Sequence, residues 1–233
     1  VAELAHISVE HYTNVERARG SGPSEQVVGA IADALRLDVD ERRHLFQLIG
    51  RSVPWGDEPS MEVTPSVAKL VQGLGTTAAI VLSARFDVLA WNAEAVHLME
   101  DFGALAPGER NIARRHFLSD RRHYGMTRGT EFSRVVAGQL RATVARYPRD
   151  RQTQQLIADL LTGSAEFTDL WDDATVVTLT HMIKELEHPD LGSLTLACDA
   201  LLDPHRDQNI VMFSVISWQD RRRLGQRVGT LGA

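Results

Sequence analysis

Apolar residues recur at helical spacing over the first third of the chain, then cluster in short β-compatible runs, return to helical spacing, and end in a second set of short runs. Ala79-Ile80-Val81-Leu82 and Asp87-Val88-Leu89-Ala90-Trp91 are the first such runs, and Ser83 to Phe86 breaks them apart. Asn92 follows as a helix cap, because its side-chain oxygen can accept an otherwise unpaired N–H of the first turn. Behind it Ala95, Leu98, Met99 and Phe102 fall on one helical face. A hairpin with a helix folded over it makes half a cavity, and later strands must complete it.

Upstream of this stretch, Val1 to Gly50 reads as helical throughout. Val1 to Ala5 begins on helical residues, Ser8 caps a helix over Val9 to Arg17, and Gly20-Ser21-Gly22-Pro23 ends it. Val27, Val28, Ile31 and Leu35 mark the next helix, and Asp38-Val39-Asp40-Glu41 has capping-box spacing ahead of Leu45, Phe46, Leu48 and Ile49. Short helix, tight break, short helix is the sequence form of a helix-turn-helix. Ser52 to Met61, with its prolines and charges, has linker composition. Thr64-Pro65 then opens a helix carrying Val67, Leu70, Val71 and Leu74, which Gly75 stops.

Downstream of Phe102, Ile112 to Phe117 is one further segment. Phe132, Val135, Val136, Leu140, Val144 and Tyr147 make a long amphipathic helix that Pro148-Arg149-Asp150 breaks. Leu156, Ile157, Leu160 and Leu161 mark another helix, and Phe167, Leu170 and Trp171 a short one. Val176 to Thr180, Leu194 to Leu196 and Ile210 to Val215 are β-rich, separated by Pro189-Asp190-Leu191-Gly192 and by Pro204 to Gln208. The expected class is α+β in two domains: an all-α domain, then a five-stranded antiparallel sheet with helices on one side, in PAS-like order. The expected bounds are 1–51 for the helical domain, 52–63 for a linker, 64–218 for the sheet domain and 219–233 for a tail.

Composition narrows the function. The formal charge is 25 − 31 = −6, which excludes a protein that coats nucleic acid over its whole surface. One cysteine, Cys198, excludes an intrachain disulfide and a Cys-rich zinc site. No apolar run approaches the ~20 residues of a membrane helix, so neither membrane insertion nor any location but the cytoplasm is expected. His116 and His123, and Asp172-Asp173 with His181, lack metal-ligand spacing. Asp172 or Asp173 with His181 and Ser193 lacks a nucleophile elbow, and Gly125 to Gly129 is too short to cradle phosphate. No cofactor and no catalytic or metal residues are expected, and Arg221-Arg222-Arg223 reads as a solvated tail.

Two resemblances give the segments a job. Ile7 to Gly20, with Pro23-Ser24, Leu35-Arg36-Leu37, Glu41-Arg42 and Leu45, resembles the phage-repressor (XRE-type) helix-turn-helix. The resemblance implies that Ser8 to Arg17 is a recognition helix in the major groove of double-stranded DNA, with Val9, Glu10, Thr13 and Asn14 towards base edges and Arg17 and Arg19 on phosphates. It also implies a further helix upstream of Val1, so the chain is expected to be truncated there. Val1 to Ser52 holds six Arg against eight Asp or Glu, so its electrostatic case is local and not global.

The second half resembles the ligand-binding domain of MmyB-like transcription regulators. The residues that carry the likeness are Phe86 to Asn92, Asp101-Phe102, Pro107 to Asn111, Phe117-Leu118, Phe167 to Trp171, His188-Pro189, Gly192 to Leu196 and Asp207 to Val211. The resemblance implies a pocket for a fatty acid or similar apolar effector whose occupancy alters DNA binding, in a homodimer. One departure is Ala174, where the family often has His three residues after Trp171. An acyl chain needs apolar walls, for which Trp91, Leu98, Phe117, Phe132, Val136, Trp171, Met182 and Met212 are candidates; ordinary core packing is the competing role for each. A carboxylate head needs a donor, for which Arg110, Asn111 and His181 are candidates. The alternative function is a dimerisation or protein-interaction module, or a hydrolase, with no lipid effector.

Overall fold

The computed structural model describes residues 1–20, 22–50, 56–119, 129–173, 181–188 and 191–217. Val176 to Thr180, His123, Ala174, Pro189, Gly125 to Arg128 and the tail with Arg221 to Arg223 lie outside them. The chain divides into two units, Val1–Gly56 and Asp57–Ala233.

The first unit holds three α-helices among its described residues, α1 (Val9–Glu16), α2 (Glu25–Leu35) and α3 (Val39–Leu48). The expected helix at Val1 to Ala5 is only a hydrogen-bonded turn, closed by Ala5 N–H to Val1 O (2.9 Å) and Ile7 N–H to Ala2 O (3.0 Å). Ser8 Oγ accepts from His11 N–H at 3.1 Å and Ser24 Oγ from Val27 N–H at 3.3 Å, so both helices start where a hydroxyl can meet an orphan donor. The capping box ahead of α3 is reciprocal: Glu41 N–H donates to Asp38 Oδ1 (2.9 Å), and Asp38 N–H to Glu41 Oε2 (3.0 Å). Val28, Ile31, Ala32 and Phe46 are buried, as are Ala2 and Ala5. Helix α1 contributes no buried residue.

The second unit is a five-stranded antiparallel sheet in the order β2-β1-β5-β4-β3. The strands are β1 (Ala78–Leu82), β2 (Val88–Trp91), β3 (His181–His188), β4 (Gly192–Asp203) and β5 (Gln208–Val215). The inserted helices are α5 (Ala93–Leu98), α6 (Ile112–Leu118), α7 (Gly129–Arg146), α8 (Arg151–Gly163) and α9 (Ala165–Asp172). They cover the inner sheet face, where Ile80, Leu82, Leu196, Val211 and Phe213 join Leu98, Phe132 and Leu160 in the larger core.

Helices lie on both faces, and not on one as the pattern suggested. Helix α4 (Pro65–Gln72) packs Val71 against Ala79, Val81 and Ile210 on the outer face, which is why all five residues of β1 are buried. Asn92 ties this layer together. Its Oδ1 accepts from Ala95 N–H and Ala79 N–H, each at 3.0 Å, while its Nδ2 donates to Thr77 O (2.8 Å) and Val71 O (3.3 Å). Residues 59–62, within the stretch with linker composition, are also held. Gln208 Nε2 donates to Ser60 O (3.1 Å) and Glu62 O (2.9 Å), and Pro59 is buried.

The β1–β2 turn is stapled by ions. Arg85, only 6% exposed, donates through Nε to Asp87 (2.5 Å) and through its terminal nitrogens to Asp150 (3.1 Å) and Gln152 (2.6 Å). Asp150 also caps α8, accepting from Gln152 N–H, Thr153 N–H and Thr153 Oγ1. Burial by itself would raise the Asp150 carboxyl, but the Thr153 and Gln152 donors and the Arg85 guanidinium outweigh it, and the carboxyl sits below the ordinary aspartate range. A carboxyl depressed in the folded state stabilises fully above its unfolded value, near pH 4, and that contribution is lost as pH falls through the folded value. Asp150→Asn should therefore cost about 3 kcal/mol at neutral pH, because it leaves Arg85 short of a buried counter-charge. Urea melts at neutral and acid pH check this: the variant should lose less stability on acidification than the parent.

Candidate functional site

The inner face of the sheet is not filled. Between it and the helices lies a partly enclosed cavity of about 40 Å³. By the same measure about 10–15 Å³ admits one water, so there is room for more than a water or two. Ile80 and Leu82 of β1, Val211 and Phe213 of β5 and Leu196 of β4 form its floor. Leu98 and Met99 from the end of α5, Ile112 of α6 and Phe132 of α7 form its roof. Phe86 closes one end from the β1–β2 turn, at a φ of 70° that a residue with a β-carbon rarely adopts. The backbone accepts that conformation because the turn is fixed on both sides: Ile112 N–H donates to Phe86 O (2.9 Å), and Phe86 N–H to Ser83 O (3.0 Å).

One charged residue lines this apolar space. Lys184 lies on the inner face of edge strand β3, in register with Leu196 of β4, and its Nζ stands 3.8 Å from the Phe132 ring centroid and 5.8 Å from that of Phe213. Burial pulls the ammonium down from the ordinary lysine range, and the thiol of Cys198 opposes this in part. Burial likewise pushes the Cys198 thiol up, despite Lys184 beside it. Both rings face the cation, and cation–π attraction offsets part of its lost hydration.

The expected ligand residues fall into three groups. Leu98 and Phe132 line the cavity. Val136 is buried in the same core without reaching the cavity, and so is Met182. Phe117 packs edge-on to Phe167 (5.0 Å), which stacks on Trp171 (5.3 Å), so these aromatics join α6 to α9. Trp91 packs on Phe102 (5.6 Å) and lies under the Arg110 guanidinium (5.3 Å). Arg110 donates through Nε to Leu105 O (3.0 Å), tying down its own turn. Asn111 is occupied as well: its Oδ1 caps α6 at Arg114 N–H (2.9 Å), and its Nδ2 donates to Arg85 O (2.8 Å) and Asp87 Oδ1 (3.0 Å).

His181 and Met212 face the other way. Strand alternation sends Met182 and Lys184 inward, so His181 points outward, where its Nδ1 meets its cross-strand partner Asp199 at 2.6 Å. Met212 pairs with Ala79 and Asp199 and belongs to the layer under α4. Ser193 is exposed on β4, so it and His181 do not assemble a hydrolytic centre. Phe86, Lys184 and Cys198 were not among the wall residues expected from the sequence. Lys184 was legible in principle, as a charge at an inward position between Met182 and Leu186.

In the first unit, Val9 (73% exposed) and Glu10 open α1. Thr13 and Asn14 follow one turn later, half-buried, and Thr13 Oγ1 donates to Val9 O at 2.8 Å. Arg17 is the exposed C-cap, and Arg19 is exposed just beyond it.

Comparison with known families supplies the context for these two sites. Residues 63–223 match the family described as the MmyB-like transcription regulator ligand binding domain, and residues 1–45 match a helix-turn-helix domain. No curated protein sequence matches the chain significantly. Both matched families are regulatory and not enzymatic.

The raised thiol makes a direct check on the cavity wall. Cys198 is the single cysteine of the chain, so each molecule can take one alkyl adduct. Iodoacetamide at mildly alkaline pH should leave the folded protein unmodified, because a buried thiol with a raised pKa offers little thiolate. Intact-mass spectrometry should show the adduct only after urea denaturation.

Proposed function

The chain belongs to the MmyB-like transcription regulators, with a helix-turn-helix DNA-binding segment ahead of a ligand-binding domain, and on that premise we propose that a fatty acid or similar apolar small molecule occupies the inner cavity and alters DNA binding. The cavity carries this reading. Native interiors are packed to crystal density, and a void costs stability in proportion to its size. A void walled by Ile80, Leu98, Phe132 and Phe213 suits an apolar guest better than water.

DNA recognition is assigned to α1. A helix with no fully buried side chain is held by its Ser8 cap and by neighbouring turns, which leaves Val9, Glu10, Thr13 and Asn14 to read base edges and Arg17 and Arg19 to meet phosphate. In a homodimer two such helices address half-sites about 34 Å apart on a two-fold operator. An effector changes affinity only if it binds the DNA-competent and DNA-incompetent arrangements unequally.

Two measurements test the proposal. Solvent extraction of the purified protein should yield a stoichiometric lipid, or saturated acids between decanoic and octadecanoic should raise its melting temperature; at a hundred-fold excess over Kd the gain is about 2.7 kcal/mol. Neither lipid nor shift would remove the effector. In DNA titrations, Asn14→Ala should cost about 1–3 kcal/mol on the cognate site and little on unrelated duplex. Arg17→Ala should weaken both alike and reduce the slope of log K against log salt by about one.

A further inference from the structure

We propose that Lys184 selects the head group of the effector: the cavity takes an amphiphile with one anionic head, a carboxylate, held on Lys184 Nζ, with its apolar body laid across the sheet towards Phe86. This rests on the reading of the cavity as an apolar small-molecule site. It adds which end of the molecule is charged and which residue reads it.

The argument starts from what surrounds the ammonium. Nζ faces the Phe132 and Phe213 rings and the Cys198 thiol, and no carboxylate pairs with it among the described residues. The acids nearby in sequence are turned away or committed. Glu185 is exposed on the opposite face of β3, and Asp199 pairs with His181 there. On the helical side, Glu100 pairs with Arg115. The residue as a whole is half-buried, but its ammonium end lies among apolar groups; a cation so placed is ordinarily matched by an anion, and here the wall that would supply one is apolar. A carboxylate arriving with its own apolar tail supplies the missing charge, whereas a neutral head leaves the ammonium unmatched.

The direction of the body follows from topology. The lining residues run from Lys184 on β3 through Leu196, Phe213 and Ile80 to Phe86, across four adjacent strands. Three strand spacings are about 14 Å, the scale of an extended acyl chain. An inward charge on an edge strand can also serve to keep that edge from pairing with another sheet. The two roles differ in ligand preference.

The full chain is titrated with dodecanoic acid and with dodecanol, matched in length and differing in charge. The parent should prefer the acid by about thirty-fold or more, the loss expected when one member of a buried charge pair is withheld. Lys184→Met, of similar shape, should bind both at the parent's affinity for the alcohol, and Lys184→Arg should restore the preference. A carboxyl-labelled acid bound to the parent should, by NMR, stay ionised to lower pH than the free acid, a readout that needs no variant. The proposal is overturned if Lys184→Met keeps the acid preference, if the parent binds acid and alcohol alike, or if the bound carboxyl titrates as the free acid does. Aggregation of Lys184→Met with its preference intact would assign the residue to edge protection instead. If the parent binds neither probe, the cavity reading itself fails and this proposal with it.

Discussion

The second unit hangs on the burial of one guanidinium. Arg85 sits in the turn between β1 and β2, and its nitrogens reach acceptors on that turn and on α8, with Met61 Sδ of the preceding segment at 3.3 Å. A buried cation with a planar fork of donors tolerates few arrangements of its acceptors, so satisfying it fixes where α8 begins relative to the turn. Thr143 Oγ1 adds α7 to the same corner by donating to Ala84 O at 2.8 Å. Helices pinned this way cannot slide down to fill the sheet, and a cavity persists where its surroundings cannot relax. Phe86, one residue from Arg85, is pointed into that cavity by the same turn.

Arg85, buried, and Lys184, half-buried, thus meet opposite fates in one domain. Arg85 is matched by Asp87 and Asp150 and acts as structure. Lys184 faces rings and a thiol, and its ammonium is disfavoured by burial. Arginine suits the first place because its geometry rewards several fixed acceptors, whereas lysine is a compact point charge on a flexible stem. Charge is therefore matched locally at the β1–β2 turn and left without a carboxylate partner at the cavity among the described residues.

The first unit shows a different economy. Its core is small and drawn from α2 and α3 with the opening turn, while α1 stays outside it. Caps carry much of the order: Ser8, Ser24 and the Asp38–Glu41 box each satisfy donors that the core does not shelter. A helix positioned by its ends leaves its side chains largely uncommitted to the core. With six Arg against eight acids over Val1 to Ser52, this unit carries no bulk positive charge.

Local signals in the sequence determined much of this. Ser8, Asp38, Thr64 and Asn92 announced helix starts through side chains that bond a few residues away, and runs such as Ala79 to Leu82 announced buried strands by their apolar density. Strand β3 was hidden, because Lys184, Glu185 and Glu187 give it the composition of a solvated helix or loop, and only its pairing with β4 makes it a strand. The site was less legible still. Aromatics at Phe117, Trp91 and Trp171 looked like pocket walls, yet a contact between distant helices decides whether such a ring lines a void or fills one. Arg110, Asn111 and His181 looked like donors for a ligand, yet each met a nearer acceptor or faced the other side of the sheet. Hydrogen bonds within a few residues can be read along a chain; which face a strand turns inward, and which charge is then left without a counter-ion, is fixed only when segments more than a hundred residues apart, such as Ile80 and Lys184, enclose the same space.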